Sequence, residues 1–159
     1  WLLERSFGVK IQAAVDISND PRFMSAIIPA ANVYSTANEA CRFFELLLRE
    51  GELDGVRIFS PRTVRRALAE QTYLELDTTL MMPLRYGMGF MLGGRRFSLY
   101  GHSTPRAFGH LGFTNVLVWA DPQRDLSVAF LNSGKPFITL RLVKWLAVAR
   151  EISRRIPKR

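Results

Sequence analysis

The sequence predicts an α+β fold, in which an antiparallel sheet is backed by a C-terminal helix and accompanied by a further helical segment. Three observations support this prediction. A hairpin of apolar strands fits Phe108 to Asn132, a capped amphipathic helix fits Thr36 to Glu50, and a broad apolar helical face recurs from Phe137 to Arg155. At 159 residues the chain is interpreted as a single domain, mainly helical in 1–80 and formed by the sheet plus the C-terminal helix in 81–159.

The hairpin is predicted from the loop that divides its two apolar runs. Asp121 followed by Pro122 suits the first two positions of a type I turn. Strand alternation then separates large from small side chains in the second run, with Leu126, Val128 and Phe130 on one face and Ser127, Ala129 and Leu131 on the other. Since neither face consists mainly of polar side chains, both faces are expected to be covered. The small-residue face is expected to be covered by the C-terminal helix.

Two helices are predicted between residues 36 and 70. Thr36 and Glu39 form a capping box, in which each side chain reaches the other residue's backbone N–H, and Gly51 ends this helix. Its apolar stripe comprises Ala40, Phe43, Phe44, Leu47 and Leu48. Ser60 caps the second helix and Pro61 occupies its first turn, where a missing N–H costs nothing. The second helix is expected to bury Val64, Ala67 and Leu68.

The first 28 residues show little periodicity. A short extended piece is predicted from Phe7 to Gln12 and a turn from Ser18 to Pro21. The chain begins with Trp1 rather than Met, inside an apolar phrase, so we expect natural sequence upstream of it.

The stretch between the second helix and the hairpin carries mixed signals. Tyr73 to Pro83 is predicted to be a loop. Tyr86 to Leu92 alternates Gly with larger residues, which is typical of a strand that another backbone or a ligand approaches closely. Gly93-Gly94 is predicted to form a hairpin turn, after which Arg96 to Tyr100 returns as a strand.

Composition excludes several classes of protein. The net charge is +8, but the segment from Arg150 to Arg159 supplies about half of it, and aromatic and basic residues do not interleave elsewhere, so nucleic acid is not expected as a partner. We interpret that tail as a solvated helix end, with an anionic surface as the alternative partner. No apolar run reaches the roughly 18 residues of a transmembrane helix. The single cysteine, Cys41, is expected to pack as a small hydrophobe, and no cofactor or metal is predicted.

Phe108 to Asn132 resembles the third motif and following hairpin of the serine β-lactamase superfamily, in its branch of class C β-lactamases, penicillin-binding proteins and family VIII esterases. In that branch His-x-Gly often replaces Lys-Thr-Gly, and here it is His110-Leu111-Gly112. A second succession agrees in order: Ser35-Thr36-Ala37 opening a helix, then Gly51-Glu52-Leu53-Asp54-Gly55, then Ser60-Pro61. The resemblance covers most of the chain and implies a partial β-lactamase/transpeptidase-like fold with the helical segment beside the active-site cleft.

The resemblance also shows what this sequence lacks. No Ser is followed by Lys at the third position, and no Tyr is followed by Asn or Ser at the second, so two of the family's three catalytic motifs are absent. Both precede the Ser-Thr-Ala helix in the family. We therefore interpret the chain as the C-terminal portion of a larger hydrolase domain whose N-terminal segment is missing. It is expected to be inactive alone and to expose a sheet edge and apolar helix surface.

The resemblance assigns roles to residues of the third motif. His110 would be catalytic, orienting a substrate carbonyl or carboxylate or assisting proton transfer. Gly112 would let the substrate lie along the strand, and the backbone N–H of Phe113 would contribute to the oxyanion hole. The implied activity is acyl-enzyme hydrolysis of a small-molecule ester or amide, and His in place of Lys favours an esterase or peptidase over a penicillin-type carboxylate partner. A periplasmic or secreted location is compatible with the resemblance.

Other interpretations of these residues stay open. A relative of the same fold that has lost catalysis would be a binding or scaffold module. Without the resemblance, His110 would be interpreted as a core or strand-edge histidine. A Ser103, His110 and Asp121 triad has no nucleophile elbow to support it, and a metal pair of His102 with His110 lacks a third ligand.

Overall fold

The described residues form two compact units in this computed structural model. One lies within Trp1–Ser35 and Leu76–Met82, and the other within Thr36–Glu75 and Pro83–Arg159. The structure describes residues 4, 8–28, 33–78, 80–112, 116–132 and 142–159.

The first unit contains two short helices, α1 (Ile11–Ser18) and α2 (Pro21–Ser25). Asp20 caps α2 by accepting a hydrogen bond from the backbone N–H of Arg22 at 2.8 Å. The predicted turn from Ser18 to Pro21, which separates the two helices, is therefore confirmed. The prediction of an extended piece reaching Gln12 is wrong, because Gln12 lies in α1 and donates to Asp16 one turn later at 2.9 Å.

The second unit begins with α3 (Ala37–Leu48), and its predicted capping box is confirmed. The Thr36 hydroxyl accepts from the Glu39 N–H at 3.2 Å, and the Glu39 carboxylate accepts from the Thr36 N–H at 2.8 Å. This backbone hydrogen bond lowers the pKa of Glu39. Gly51, with φ of +91°, ends the helix by donating to Leu46 O at 2.8 Å.

The buried stripe of α3 matches the prediction only in part. Phe44 and Leu47 are buried as predicted, Ala40 and Leu48 are half-buried, Phe43 is 46% exposed, and Leu46 is buried although it was not predicted. The N-terminal half of the stripe is only partly covered, while Leu46 lies in the last turn, where the chain reverses at Gly51.

A small hairpin and a further helix follow. Strands β1 (Glu52–Leu53) and β2 (Val56–Arg57) pair antiparallel and lead into α4 (Pro61–Leu68). Ser60 caps α4 by accepting from the Thr63 N–H at 3.1 Å, as the sequence predicts.

Six strands form the main sheet, in the same order as along the chain, and adjacent strands from β4 to β8 pair antiparallel. The α+β class is therefore confirmed. The bounds are β3 (Thr72–Asp77), β4 (Met82–Tyr86), β5 (Met91–Leu92), β6 (Phe108–Leu111), β7 (Leu117–Asp121) and β8 (Leu126–Phe130).

The predictions between residues 73 and 100 need correction. Tyr73 to Pro83 is mostly strand, because it supplies β3 and the start of β4. Tyr86 to Leu92 is not one strand, since Gly87 N–H donates to Phe90 O at 2.8 Å and closes a turn between β4 and β5. Arg96 to Tyr100 does not return as a strand either. Its Tyr100 side chain is buried instead, and the hydroxyl donates to Met91 O at 2.9 Å.

Helices cover both faces of the sheet. The α3 face carries Phe108, Val118 and Ala120, which pack with Phe44, Leu47 and Val64 of the helical segment. The small side chains of β8 lie on this same face, because Ser127 pairs with Ala120 and Ala129 pairs with Val118. Cys41 of α3 contacts both of these β8 residues.

The C-terminal helix α5 (Leu142–Arg155) packs on the opposite face, which we call the α5 face. Trp145 of α5 contacts Phe130 at a ring distance of 5.1 Å, and Phe130 contacts Trp119 at 5.4 Å. The prediction that this helix covers the small-residue face is therefore wrong. The bulky side chains of Trp119 and Phe130 need a helix of their own to cover them, and α3 already covers the small-residue face. The predicted start of the helix, at Phe137, lies outside the described residues.

A buried arginine fastens the end of α5 to the β7–β8 turn. The turn is confirmed, since Arg124 N–H donates to Asp121 O at 3.0 Å. The Arg124 guanidinium donates to Ser153 O at 2.9 Å, to Ile156 O at 3.0 Å and to the Asp121 carboxylate at 2.7 Å. It thereby satisfies carbonyl groups that the last turn of a helix leaves without partners.

Candidate active site

His110 is the one exposed residue of strand β6. Its neighbours Phe108, Gly109 and Leu111 are buried. Alternation places His110 on the α3 face with Phe108, and its partner across the ladder is Val118. The imidazole Nδ1 lies 3.0 Å from Leu111 O, which leaves Nε2 as the ring nitrogen available to a ligand.

The two glycines near this histidine differ in how closely other atoms approach them. A side chain at Gly109 would meet Val118 O at 2.2 Å and Trp119 Cβ at 2.6 Å, so close packing of β6 against β7 requires glycine there. At Gly112 the nearest atoms to an added Cβ, both of Val116, are 3.7 Å away, an ordinary contact. The described residues therefore do not require glycine at Gly112, whose backbone N–H donates to Val116 O at 2.7 Å.

Phe113, for which the resemblance implies an oxyanion-hole N–H, lies outside the described residues together with Thr114 and Asn115. That role stays a prediction. The structure does describe both sides of the connection, Gly112 and Val116, which the backbone hydrogen bond between them holds together at the end of β6 and the start of β7.

The direction of α3 locates the end of the sheet that His110 occupies. Near one end of α3, Cys41 contacts Ala129, and near the other Arg49 forms an ion pair with Asp125 at 3.1 Å. The helix therefore runs antiparallel to β8. His110 pairs beside the Leu117–Phe130 end of the ladder, so it lies towards the N-terminal end of α3.

Burial raises the pKa of the Cys41 thiol, which favours the unreactive protonated form.

An aromatic cluster borders His110 on the α3 face. Phe44, Phe90 and Phe108 contact one another at ring distances between 5.9 and 6.2 Å. Phe90 is partly exposed and comes directly before Met91, the partner of Gly109. Sequence reasoning did not place Phe90 at the site, although the Gly alternation in Tyr86 to Leu92 indicated close approach by a backbone or ligand. Gly87 does meet a backbone, since a Cβ there would lie 2.6 Å from Ala67 O.

The Ser103, His110 and Asp121 triad does not assemble. Asp121 is buried on the α5 face and pairs with Arg124, whereas His110 lies exposed on the α3 face. The Ser103 hydroxyl accepts from Lys158 Nζ at 3.1 Å instead. His102 belongs to the α5 side too, because its backbone N–H donates to Ser153 Oγ at 2.8 Å. Among the described residues, no group of three or more metal-ligating side chains is placed to hold an ion.

A cavity of about 430 Å³ opens at the other end of α3, where it is lined by Glu45, Arg49, Glu52, Leu53, Asp54, Gly55 and Arg57. Its arginines are ion-paired, Arg57 with Glu52 at 2.5 Å and Arg49 with Asp125 at 3.1 Å. The lining that the structure describes holds no serine, histidine or cysteine.

The basic C-terminal segment folds back onto the protein. Arg154 and Arg155 pair with Glu151, and Arg159 pairs with Asp125 at 2.8 Å. In the described part of the chain, no helix combines the length and apolar character that crossing a bilayer requires.

Comparison with known proteins identifies relatives of this chain. A family model described as Beta-lactamase matches residues 6–151. The chain is 26% identical over 121 residues to the Esterase/beta-lactamase LipL of Mycobacterium tuberculosis, covering 76% of this chain and 27% of that protein. It is 30% identical over 129 residues to Protein Rv1367c of the same organism, covering 76% of this chain and 31% of that protein.

Solved structures show the same relationship. A family VIII carboxylesterase superposes with a TM-score of 0.65 at 26% identity, covering 86% of this chain and 37% of that one. A penicillin-binding protein homologue from Caulobacter crescentus gives 0.59 at 28% identity, covering 89% and 41%. The chain thus spans between about a quarter and two fifths of these relatives. Because the family model matches most of its length, the chain belongs to the beta-lactamase family of serine hydrolases.

Proposed function

We propose that this chain is the C-terminal part of a serine hydrolase that cleaves an ester or amide through an acyl-enzyme, with the end of β6 lining its cleft. The observation that carries the proposal is the exposed His110 in a strand that is otherwise buried. An exposed imidazole contributes little to a hydrophobic core. His110 lies on the face of the sheet against which the helical segment packs. A chemical role therefore explains the position better than packing does.

In this proposal the residues at the end of β6 bind and polarise the substrate, and none of them is the nucleophile. Because Nδ1 donates to Leu111 O, Nε2 is an acceptor in the neutral ring; in the imidazolium form it donates a hydrogen bond to the carbonyl or leaving-group oxygen, or passes its proton to it. Substrate backbone or acyl chain lies against Gly112, where no Cβ intrudes. The Phe113 N–H stabilises the negative charge that develops on the carbonyl oxygen.

The nucleophile is proposed to come from a segment of the same domain that carries Ser-x-x-Lys, with a tyrosine motif completing the proton relay. The serine hydroxyl attacks the carbonyl carbon, its proton passes to the base and on to the leaving group, and the alcohol or amine departs. Water then attacks the acyl-serine, giving one proton through the base back to the serine oxygen, and the acid is released. Two relatives, LipL and the family VIII carboxylesterase, bear names that specify ester hydrolysis, which supports an ester as the substrate.

Intact-mass analysis of the purified chain tests the division of roles. After incubation with a fluorophosphonate or, separately, with a penicillin, no covalent adduct is expected. A version extended by its natural upstream sequence should gain one phosphonyl group on a Ser-x-x-Lys serine. An adduct on the 159-residue chain itself would show that it carries its own nucleophile. Absence of any adduct in the extended protein would favour the non-catalytic binding or scaffold relative.

The role of His110 is tested in the extended protein by His110→Gln, with His102→Gln as the matched control. Both histidines are exposed, but His102 lies in a loop held against α5. Loss of a general acid or base typically lowers the rate by about 10²–10⁴-fold, so kcat/KM for a p-nitrophenyl ester should fall by at least about 10²-fold in His110→Gln alone. Equal effects of the two substitutions would refute the assignment.

A further inference from the structure

We infer that the turn between β4 and β5 forms the wall of a subsite for an uncharged acyl or alkyl chain of the ester, with Phe90 and Met88 as its specificity-determining residues. This inference rests on the proposed function of β6. It adds a substrate class and two further residues to that function.

Register places Phe90 beside His110. Met91 pairs with Gly109, so the residue before Met91 and the residue after Gly109 occupy neighbouring positions on adjacent strands. The Phe90 ring contacts the Phe108 ring at 5.9 Å, and Phe108 shares its face with His110. Phe90 and His110 therefore lie side by side on the α3 face.

The turn is held in place before any substrate arrives. Gly87 N–H donates to Phe90 O at 2.8 Å, and Met88 N–H donates to Ala67 O at 2.8 Å, which ties the turn to the end of α4. The Met88 side chain is nevertheless 62% exposed. At Gly89, with φ of +84°, an added Cβ would meet no described residue within 4 Å. The turn therefore holds Met88 at the surface in a fixed position.

The chemistry of this wall selects against charge. Among the described residues, the nearest neighbours of His110 on the same face are Phe90, Phe108 and Val118, none of which can pair with a carboxylate. Arg85 of β4 shares this face but is already paired with Glu70 at 2.8 Å. A charged substituent beside Phe90 would lose hydration without gaining a free partner among these residues, whereas an alkyl chain would bury apolar surface against the aromatic cluster. A methionine at the rim suits chains of varied shape, because its side chain is flexible.

The test measures selectivity in the protein extended by its natural upstream sequence. The ratio of kcat/KM for p-nitrophenyl hexanoate to that for p-nitrophenyl acetate should fall about fivefold in Phe90→Leu, since a few methylene contacts are lost. Phe97→Leu is the matched control, because Phe97 is another partly exposed phenylalanine in the β5–β6 connection. Thermal melting confirms that each variant is folded.

A charge test reverses the preference. Met88→Lys should raise the kcat/KM ratio of mono-p-nitrophenyl succinate to p-nitrophenyl butyrate about fivefold, the size expected of one exposed ion pair. Val143→Lys is the control, since Val143 is also 62% exposed but belongs to α5 on the other face. Unchanged ratios in both Phe90→Leu and Met88→Lys, with ester hydrolysis intact, would overturn the subsite and leave the proposed function standing.

Binding measured without turnover separates the two failures. Saturation-transfer NMR of the extended protein should show stronger transfer to methyl hexanoate than to monomethyl succinate, and Phe90→Leu should weaken the former. This pattern in a protein that hydrolyses no ester would support the subsite and refute the hydrolase. Equal transfer to both compounds would refute the subsite whether or not the ester is cleaved.

Discussion

Replacing Arg124 by Met is expected to cause a larger loss of stability than the same change at any other arginine that the structure describes. The Arg124 side chain is 6% exposed and its partner Asp121 is 1% exposed. Substitution leaves a buried carboxylate without its counter-ion and leaves the carbonyl groups of Ser153 and Ile156 without their donor. Met fills a similar volume, so the loss reflects charge and hydrogen bonding and not a cavity.

The magnitude follows from the burial. Breaking one side of a buried ion pair typically costs about 3–5 kcal/mol, a large part of the roughly 5–15 kcal/mol that keeps a domain folded. With a urea m-value of about 2 kcal/mol/M, the unfolding midpoint should fall by about 2 M. Urea titration followed by the fluorescence of the buried Trp119 measures this shift.

Two variants make the result specific. Arg154→Met removes a salt bridge to Glu151 in which the arginine side chain is 69% exposed, and it should leave the midpoint nearly unchanged. Asp121→Asn combined with Arg124→Met removes the stranded charge and should recover part of the loss. If Arg124→Met shifts the midpoint no more than Arg154→Met does, the buried pair does not stabilise the end of α5 and the reasoning fails.

Three further predictions follow from local geometry. Gly109→Ala should lower stability by about 1–3 kcal/mol through overpacking, whereas Gly112→Ala should leave melting unchanged yet slow phosphonylation of the extended protein; equal melting temperatures would contradict this. Thr36→Ala should cost about 1 kcal/mol in urea unfolding by removing the cap of α3, and a neutral effect would count against the capping box. Hydrogen bonds from Arg154 and Arg155 lower the pKa of Glu151 to about 2, so its stabilising contribution holds above the unfolded pKa and is lost as pH falls through about 2. NMR titration should show this pKa rising in Arg154→Met, and an unchanged value would refute the pairing.

Elements with strong local signals could be predicted from the sequence. The capping box at Thr36, the Ser60-Pro61 start of α4 and the Asp121-Pro122 turn each depend on residues within four positions of one another, and each is present. The β3 strand could not be recognised, since its exposed side chains include Tyr73, Leu74 and Leu76 and show no alternation of buried and exposed positions.

The placement of helices on the sheet depends on contacts distant in sequence. Small side chains on β8 indicated that a helix lies close, and one does, but it is α3 and not the C-terminal helix. The deciding features are Trp119 and Phe130 on the other face. Phe130 contacts Trp119 and also Trp145, which lies fifteen residues after Phe130 in the sequence. Alternation alone reveals which side chains share a face, but not which of two helices covers it.

At the candidate site, too, some features were predictable from the sequence and others became evident only from the structure. The His-x-Gly motif located His110 and Gly112, and the structure adds that His110 is exposed and that Gly112 is free of packing demands, unlike Gly109. Phe90 lies twenty residues before His110 and twenty-two before Gly112, and it joins them only through pairing of β5 with β6. Its place beside His110 therefore required the register.

The contrast between the two glycines bears on function. Gly109 is explained by packing, since any side chain there would collide with Val118 and Trp119. Gly112 has no such explanation: its φ is not in the left-handed region, and a Cβ would make ordinary contacts. Alanine would reduce the flexibility of the unfolded chain and so should be tolerated or even favoured by the fold. A position where the described residues would accept a side chain, two residues after an exposed histidine, supports the proposal that substrate occupies this space.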